Sequence, residues 1–355
     1  MLQHESSPFP EYEPKKIKIE DAVGSALAHD ITEIRPGEYK GPTFRRGHKI
    51  ERKDLCQLMR LGKRHLYILD LEKKQIHEDD AVLELAMALA GPGVTFGGRP
   101  REGKIQLKAA YRGLFKVNVD PLIDFNLIPE VMCASIHNNT PVKKGQSLAG
   151  TRAIPLVIHR NILDKAVDIA RTHYPVFSVK VFNPIKARLI ITGNEVYDGL
   201  IEDKFEAVVT EKLKAYGASL VETVILPDDE AMIAESVRLF LDQGADLIIT
   251  TGGMSVDPDD VTRSGIKKAG VNQIYYSAAV LPGTMFQLAY KGDVPIAGIP
   301  ACALYNKTTI FDLILPRLLA GEKPDNKDLA RFAHGGLCLD CHTCRFPGCS
   351  FGKTG

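Results

Sequence analysis

Residues 246–260, DLIITTGGMSVDPDD, constrain this chain more than any other stretch. Leu247 to Thr251 are apolar or β-branched without a break, the pattern of a buried strand in a parallel sheet. Gly252 and Gly253 follow at once and permit a sharp exit from the strand and close approach of a ligand to the backbone. Ser255 then offers a hydroxyl, and Asp257, Asp259 and Asp260 place three carboxylates within four positions. Carboxylates so close repel one another unless a cation or polar ligand compensates. Val261 opens a helical pattern, so one of these aspartates is expected at the helix N-terminus. An aspartate before a helix can be no more than a cap. Yet strand, glycine turn, acidic loop and helix is also the order in which an open α/β sheet presents its ligand crevice.

The design occurs twice. Residues 187–192, ARLIIT, form a second apolar run that leads into Gly193, Asn194 and Glu195. In a parallel sheet both strand ends lie at one edge. From residue 179 onward strands and helices alternate with short connections, which predicts a three-layer α/β sandwich with a mostly parallel sheet. Its expected helices cover residues 205–216, 230–243, 261–269 and 304–319. Leu226-Pro227-Asp228-Asp229 closes another strand; the default role of Asp228 or Asp229 is an N-cap, with an edge contribution to the same cleft as the alternative.

At this point the residues resemble a known family. TGNEV (192–196) and TGGMSVDPDDVT (251–262), with about 55 residues between them, look like the paired motifs of the molybdenum-cofactor biosynthesis domain. Molybdopterin molybdenumtransferases and adenylyltransferases share that domain. LPGTMF (281–286) and the segment 298–322 resemble its later proline–glycine loop and closing helix. The resemblance implies that Thr192, Gly193, Asn194, Glu195, Thr251, Gly252, Gly253, Ser255, Pro282, Gly283 and Pro300 surround molybdopterin or its adenylylated form. It implies that Asp260, with Asp257 and Asp259, manages Mg²⁺ and positions molybdate. A molybdenumtransferase function, a homodimer and an apo-molybdoenzyme as recipient are further implications. Two positions depart from the family: Asn194 stands where an aspartate is usual, and Pro300-Ala301-Cys302-Ala303 replaces a Pro-Gly-Asn-Pro loop. The departures favour an alternative, a molybdopterin carrier or sensor without catalysis.

A chain of 355 residues suggests two domains with an appendage. Residues 1–14 read as a polar, proline-rich leader. Residues 15–175 read as a smaller α+β domain containing a β unit, 180–322 as the pterin-binding domain and 335–355 as a cysteine-rich tail. Net charge is +1, which gives no electrostatic case for nucleic acid or an anionic membrane. The N-terminus does not read as an export signal, and the expectation is a cytoplasmic protein. The run Arg45, Arg46, His48, Lys49, Arg52 and Lys53 reads as a solvated face or a phosphate-contacting arm. His77-Glu78-Asp79-Asp80 starts a helix, and His77 with Asp79 is a second place where a metal or substrate can be held.

Four of the seven cysteines, Cys338, Cys341, Cys344 and Cys349, fall within twelve residues. Four thiolates so close repel one another, so the tail is expected to bind a metal or cluster. Structural zinc usually takes two Cys-x2-Cys pairs set farther apart. The tandem Cys-x2-Cys-x2-Cys matches an iron–sulfur run, although that run continues with three residues and Cys-Pro. Zinc and iron–sulfur both stand at this level, as does a reduced tail without metal.

Overall fold

The computed structural model describes residues 15–35, 39–68, 74–253 and 261–353. The chain divides into two compact units. The first comprises residues up to 111 together with 116–136 and 144–179, and the second comprises 112–115, 137–143 and 180 onward.

The first unit has a small core of Ile19, Leu27, Ile31, Ile50, Leu58 and Leu66. It also has a four-stranded antiparallel sheet, Val94–Phe96, Lys104–Ala109, Ser147–Ala153 and Val131–Ser135 in spatial order. Lys104–Ala109 alternates strictly between exposed and buried residues, as a strand with one wet face must. Helix Glu78–Leu89 packs on this sheet. His77 is its N-cap: Nδ1 accepts from the Asp79 amide at 3.1 Å, and Nε2 meets the Ala28 carbonyl at 2.5 Å. One nitrogen accepts and the other donates, so the ring is held neutral, and burial lowers its pKa further. His77 is therefore explained as a cap. Half of the basic run is engaged within its own unit, Lys53 with Glu51 at 2.8 Å among them. Arg46 pairs with Asp80 at 2.9 Å, and His48 pairs with Asp54 at 2.7 Å.

The second unit holds a six-stranded sheet: β1 Lys186–Thr192, β2 Ser219–Leu226, β3 Leu247–Thr251, β4 Gln273–Tyr276, β5 Gln287–Lys291 and β6 Val294–Ile299. The spatial order is β2-β1-β3-β6-β5-β4. The first four run parallel, and β5 and β4 complete the sheet antiparallel. The expected mostly parallel sheet is thus a mixed one, because the short turn at Lys291–Val294 joins β5 to β6 as a hairpin.

Alternation along the strands feeds two separate cores. Leu189, Ile191, Leu247, Ile249 and Ile299 face helices α1 Phe205–Lys214 and α4 Ile310–Leu319, meeting Val209, Leu213, Phe311 and Ile314. Ile190, Ile248 and Ile296 face the other way, toward α2 Glu230–Asp242 and α3 Thr262–Lys268, meeting Ile233, Val237, Phe240 and Ile266. Helices on both faces of one sheet make the three layers. The helix expected over 304–319 is broken: a 3₁₀ turn spans Ala301–Leu304, and α4 starts only at Ile310. Thr309 ends the interruption by capping α4 reciprocally with Asp312. No helix among the described residues is long and apolar enough to cross a membrane.

Candidate functional site

The parallel register fixes the site. Ile191 pairs with Thr251, and Thr251 with Ile299, so Thr192, Gly252 and Pro300 leave the sheet at the same edge. The buried Thr192 hydroxyl contacts the Thr251 carbonyl at 3.1 Å and the Thr262 hydroxyl at 2.8 Å. This joins both sequence motifs to the start of α3. Gly252 and Gly253 have φ of +81° and +52°. A Cβ on Gly252 would stand 2.0 Å from the Thr192 carbonyl oxygen, and one on Gly253 would stand 2.5 Å from Thr262 Oγ1. These glycines are thus required by protein packing itself, beyond any ligand approach. Side chains here would disturb the turn as well as the cleft.

The N-cap of α3 is Val261, which makes no side-chain cap of its own; the aspartate expected at this helix start lies outside the described residues. Thr262, at the first turn, spends its hydroxyl on Thr192. Ser255, Asp257, Asp259 and Asp260 lie outside the described residues.

Gly193 turns β1 into a one-turn helix, Asn194–Tyr197. Asn194 and Asp228 then bond reciprocally. The Asn194 amide donates to Asp228 Oδ2, and the Asp228 amide donates to Asn194 Oδ1, each at 3.1 Å. Asp229 caps α2 by accepting from the Ala231 and Met232 amides at 2.8 Å. The two aspartates therefore divide the roles the sequence left open: one caps, and the other enters the strand-end site. Glu195 is exposed beside them.

Pro282 and Gly283 form a turn that packs elsewhere in the same unit. A Cβ on Gly283 would stand 2.5 Å from Ile310 Cγ2 at the start of α4. Leu281 beside it exchanges backbone hydrogen bonds with the tail: its amide donates to the Gly336 carbonyl and its carbonyl accepts from the Cys338 amide, both at 2.8 Å. Thr192 is thus joined by hydrogen bonds to Thr251 and Thr262, and Asn194 separately to Asp228. Pro300 shares their sheet edge, and the Pro282-Gly283 turn is anchored to α4 and the tail.

The tail is folded onto the α/β unit. Phe351 is only 3% exposed in the core below α4, and Lys353 Nζ meets Thr140 Oγ1 at 2.9 Å. Cys338 and Cys349 are half-buried, Cys341 and Cys344 are exposed, and all four are free thiols. Among the described residues no three His, Cys, Asp or Glu side chains stand together so as to hold a metal ion. The expected metal centre at Cys338, Cys341, Cys344 and Cys349 is therefore not assembled as the side chains stand. What the four share is a common cavity wall.

Sequence reasoning missed a larger cavity of about 840 Å³ in the same unit. Lys212 and Tyr216 beside α1, Tyr305 and Lys307 beyond Pro300, and Arg112 and Lys143 from earlier in the chain line it. Lys212 Nζ pairs with Asp312 at 2.5 Å, and the Arg112 guanidinium lies 6.0 Å from the Phe182 ring. Burial, reinforced by Asp312, pushes the Tyr216 hydroxyl up to about 12. No local signal marks this site, since Lys212 and Asp312 are a hundred residues apart.

Comparison with known proteins bears on the same region. Residues 188–320 match a family described as "Probable molybdopterin binding domain", and residues 16–70 match a domain of unknown function. A molybdopterin molybdenumtransferase of Haemophilus influenzae is 25% identical over 270 residues, 68% of this chain and 64% of that protein. A CinA-like protein of Thermosipho melanesiensis is 35% identical over 92 residues, 26% of this chain and 23% of its own length. The chain thus spans less than two thirds of either relative. Among solved structures, the molybdopterin biosynthesis enzyme MoaB from Thermus thermophilus aligns with a TM-score of 0.33 at 20% identity, over 39% of this chain and 98% of that one. The family match opens within β1 and closes at the end of α4, and it encloses both threonine–glycine motifs: residues 188–320 are a molybdopterin-binding domain of the molybdenum-cofactor biosynthesis family.

Proposed function

We propose that the chain binds molybdopterin, or adenylylated molybdopterin, at the strand-end site and inserts molybdate into it as a molybdenumtransferase. The observation that carries this reading is the alignment of Thr192, Gly252 and Pro300 at one sheet edge, with the Asn194–Asp228 pair beside them. Backbone amides at the glycine turn suit a phosphate, and Asn194 and Glu195 suit the directed hydrogen bonds of a pterin. Asp257, Asp259 and Asp260 would hold Mg²⁺, and Asp228 and Glu195 offer further hard oxygen donors at the strand ends; bound there, the ion would neutralise phosphate charge. The protein's own part in the exchange is positioning and charge management. The reading includes a cytoplasmic homodimer that delivers its product to an apo-molybdoenzyme.

A second reading has its own support. Asn194 supplies no carboxylate where one is usual in the family, and its side-chain oxygen is already engaged by the Asp228 amide. That favours a carrier that binds the pterin without turnover.

The test is conversion of adenylylated molybdopterin and molybdate into molybdenum cofactor, read by reconstitution of an apo-molybdoenzyme, alongside direct pterin binding. For the enzyme, Asp260→Asn should lower turnover by roughly 10²-fold or more with a smaller loss of affinity. A wild type that binds pterin but stays silent, with no gain from Asn194→Asp, rejects the transferase and leaves the carrier. Failure to bind pterin at all rejects both.

A further inference from the structure

All four tail cysteines line one cavity of about 230 Å³. Its wall also contains Lys307, Arg345, Phe346 and Phe351. That volume is many times the ~10–15 Å³ a single water requires. The cavity is firmly built on its inner side. Phe351 is buried in the domain core, and Phe346 stacks edge-on to it at 6.4 Å. The Cys338 amide is tied to Leu281, the Gly348 amide to the Arg345 carbonyl at 2.7 Å, and the Thr308 hydroxyl lies 3.3 Å from Cys344 Sγ. Thr308, Lys307 and Cys344 also line the larger cavity, so the two spaces share a wall.

We propose that Cys338, Cys341, Cys344 and Cys349 hold a four-iron, four-sulfide cluster in this cavity. The choice against a single zinc ion rests on spacing: structural zinc usually takes two Cys-x2-Cys pairs set farther apart, whereas three of these cysteines form one tandem run. All four line one space. A cubane cluster suits this arrangement, because each cysteine binds a different iron and the core fills the centre. The Cys338-x2-Cys341-x2-Cys344 run is the tandem spacing of such ligation. In two-cluster ferredoxins the fourth cysteine of that run serves the other cluster; here Cys349 follows Cys344 after four residues, past the Phe346-Pro347-Gly348 turn, and lines the same cavity as the other three. Assembly from two Fe²⁺, two Fe³⁺, four sulfides and four thiols releases four protons to solvent and transfers no electrons. The product carries two net negative charges, which Lys307 and Arg345 in the wall offset in part, against Asp340 in the same wall. Loading would also fix the wall at Lys307 and Thr308 that the larger cavity shares.

The experiment uses the full chain, purified and reconstituted anaerobically with ferrous and ferric iron and sulfide, with Zn²⁺ in a parallel sample. The expected result is about four iron and four acid-labile sulfide per chain, with broad visible charge-transfer absorption and a paramagnetic signal after reduction. Cys341→Ala and Cys344→Ala should each reduce bound iron to background, whereas Cys56→Ala should retain it. Cys341 and Cys344 are exposed, so both variants should melt as the metal-free wild type does, which separates ligand loss from unfolding. One zinc per chain without sulfide overturns the cluster, as does folded protein that takes up no iron. Iron retained by the Cys341→Ala, Cys344→Ala double variant overturns the assignment of its ligands. Pterin binding is not a readout, so either outcome leaves the proposed function to its own test.

Discussion

Asn194 and Asp228 are locked together at the strand ends of β1 and β2, each backbone amide donating at 3.1 Å to the other residue's side chain. The two hydrogen bonds are exposed, although Asp228 itself is half-buried, so each is worth ~0.5–1 kcal/mol at most. Asn194→Ala should lower stability by about 1 kcal/mol and weaken pterin binding more than it weakens the fold. Asn194→Asp keeps an acceptor for the Asp228 amide and adds a carboxylate beside the one already there. Two neighbouring carboxylates favour a divalent cation. Mg²⁺ should therefore raise the melting temperature of Asn194→Asp more than that of the wild type. Equal Mg²⁺ shifts in the two proteins would contradict this.

Gly252 and Gly199 provide a matched contrast. Both have positive φ, but a Cβ on Gly252 would stand 2.0 Å from a backbone carbonyl, while nothing lies within 4 Å of one on Gly199. Gly199→Ala should cost ~1–2 kcal/mol, the left-handed backbone cost alone. Gly252→Ala adds a clash that cannot relax by side-chain rotation and should cost about 2–4 kcal/mol, with loss of pterin binding. Denaturant unfolding of both variants checks the order; equal costs would mean that the turn can relax.

Glu78, at the first turn of helix Glu78–Leu89, is buried beside Asp79, and its carboxyl is pushed up to about 7 chiefly by burial. The folded state therefore holds this proton over a range where the unfolded chain has released it. Its stabilising contribution is complete below the unfolded pKa near 4.5 and is lost as pH rises through about 7. The first unit should thus lose ~1–3 kcal/mol between those limits from this group. Glu78→Gln, neutral throughout, should flatten the dependence of melting temperature on pH over that window. An unchanged slope would assign the pH dependence to other groups.

Removing the tail should injure the α/β domain even though no strand of its sheet lies beyond Ile299. Truncation after His334 takes away Phe351, which fills the core, and strips Leu281 of both backbone partners. Phe351→Ala alone should cost about 3–5 kcal/mol. Thermal unfolding of the metal-free protein measures this independently of any cluster. A truncated chain as stable as the full one would show that the tail adds nothing to this core.

Strand–glycine–helix order was legible in the sequence because it is local. Leu247–Thr251 reads as a buried strand on its own residues, and its neighbours in the sheet confirm it. The two threonine–glycine motifs were legible as a pair because the same local design occurs twice and resembles the paired motifs of a known family. Helix boundaries were less so. The apolar run after Leu304 continues a helical pattern, but the Thr309–Asp312 capping box starts α4 later. Residues 77–80 read as a helix start with His77 and Asp79 as a second place for a metal or substrate, and the hydrogen bond from the Asp79 amide made His77 the cap.

The sequence by itself determined the layered α/β class, the sheet edge of the candidate site, and the cysteine cluster, because composition and short-range spacing encode them. Only tertiary structure decided which groups meet. It paired Thr192 with Thr262, Asn194 with Asp228, and Lys212 with Asp312, across separations of 34 to 100 residues. It also docked the tail onto α4 and opened the shared cavities beside it. The physical reason is that hydrogen bonds and packing depend on distance in space. Chain connectivity fixes that distance only over a few residues; beyond them, the parallel register of the sheet sets it.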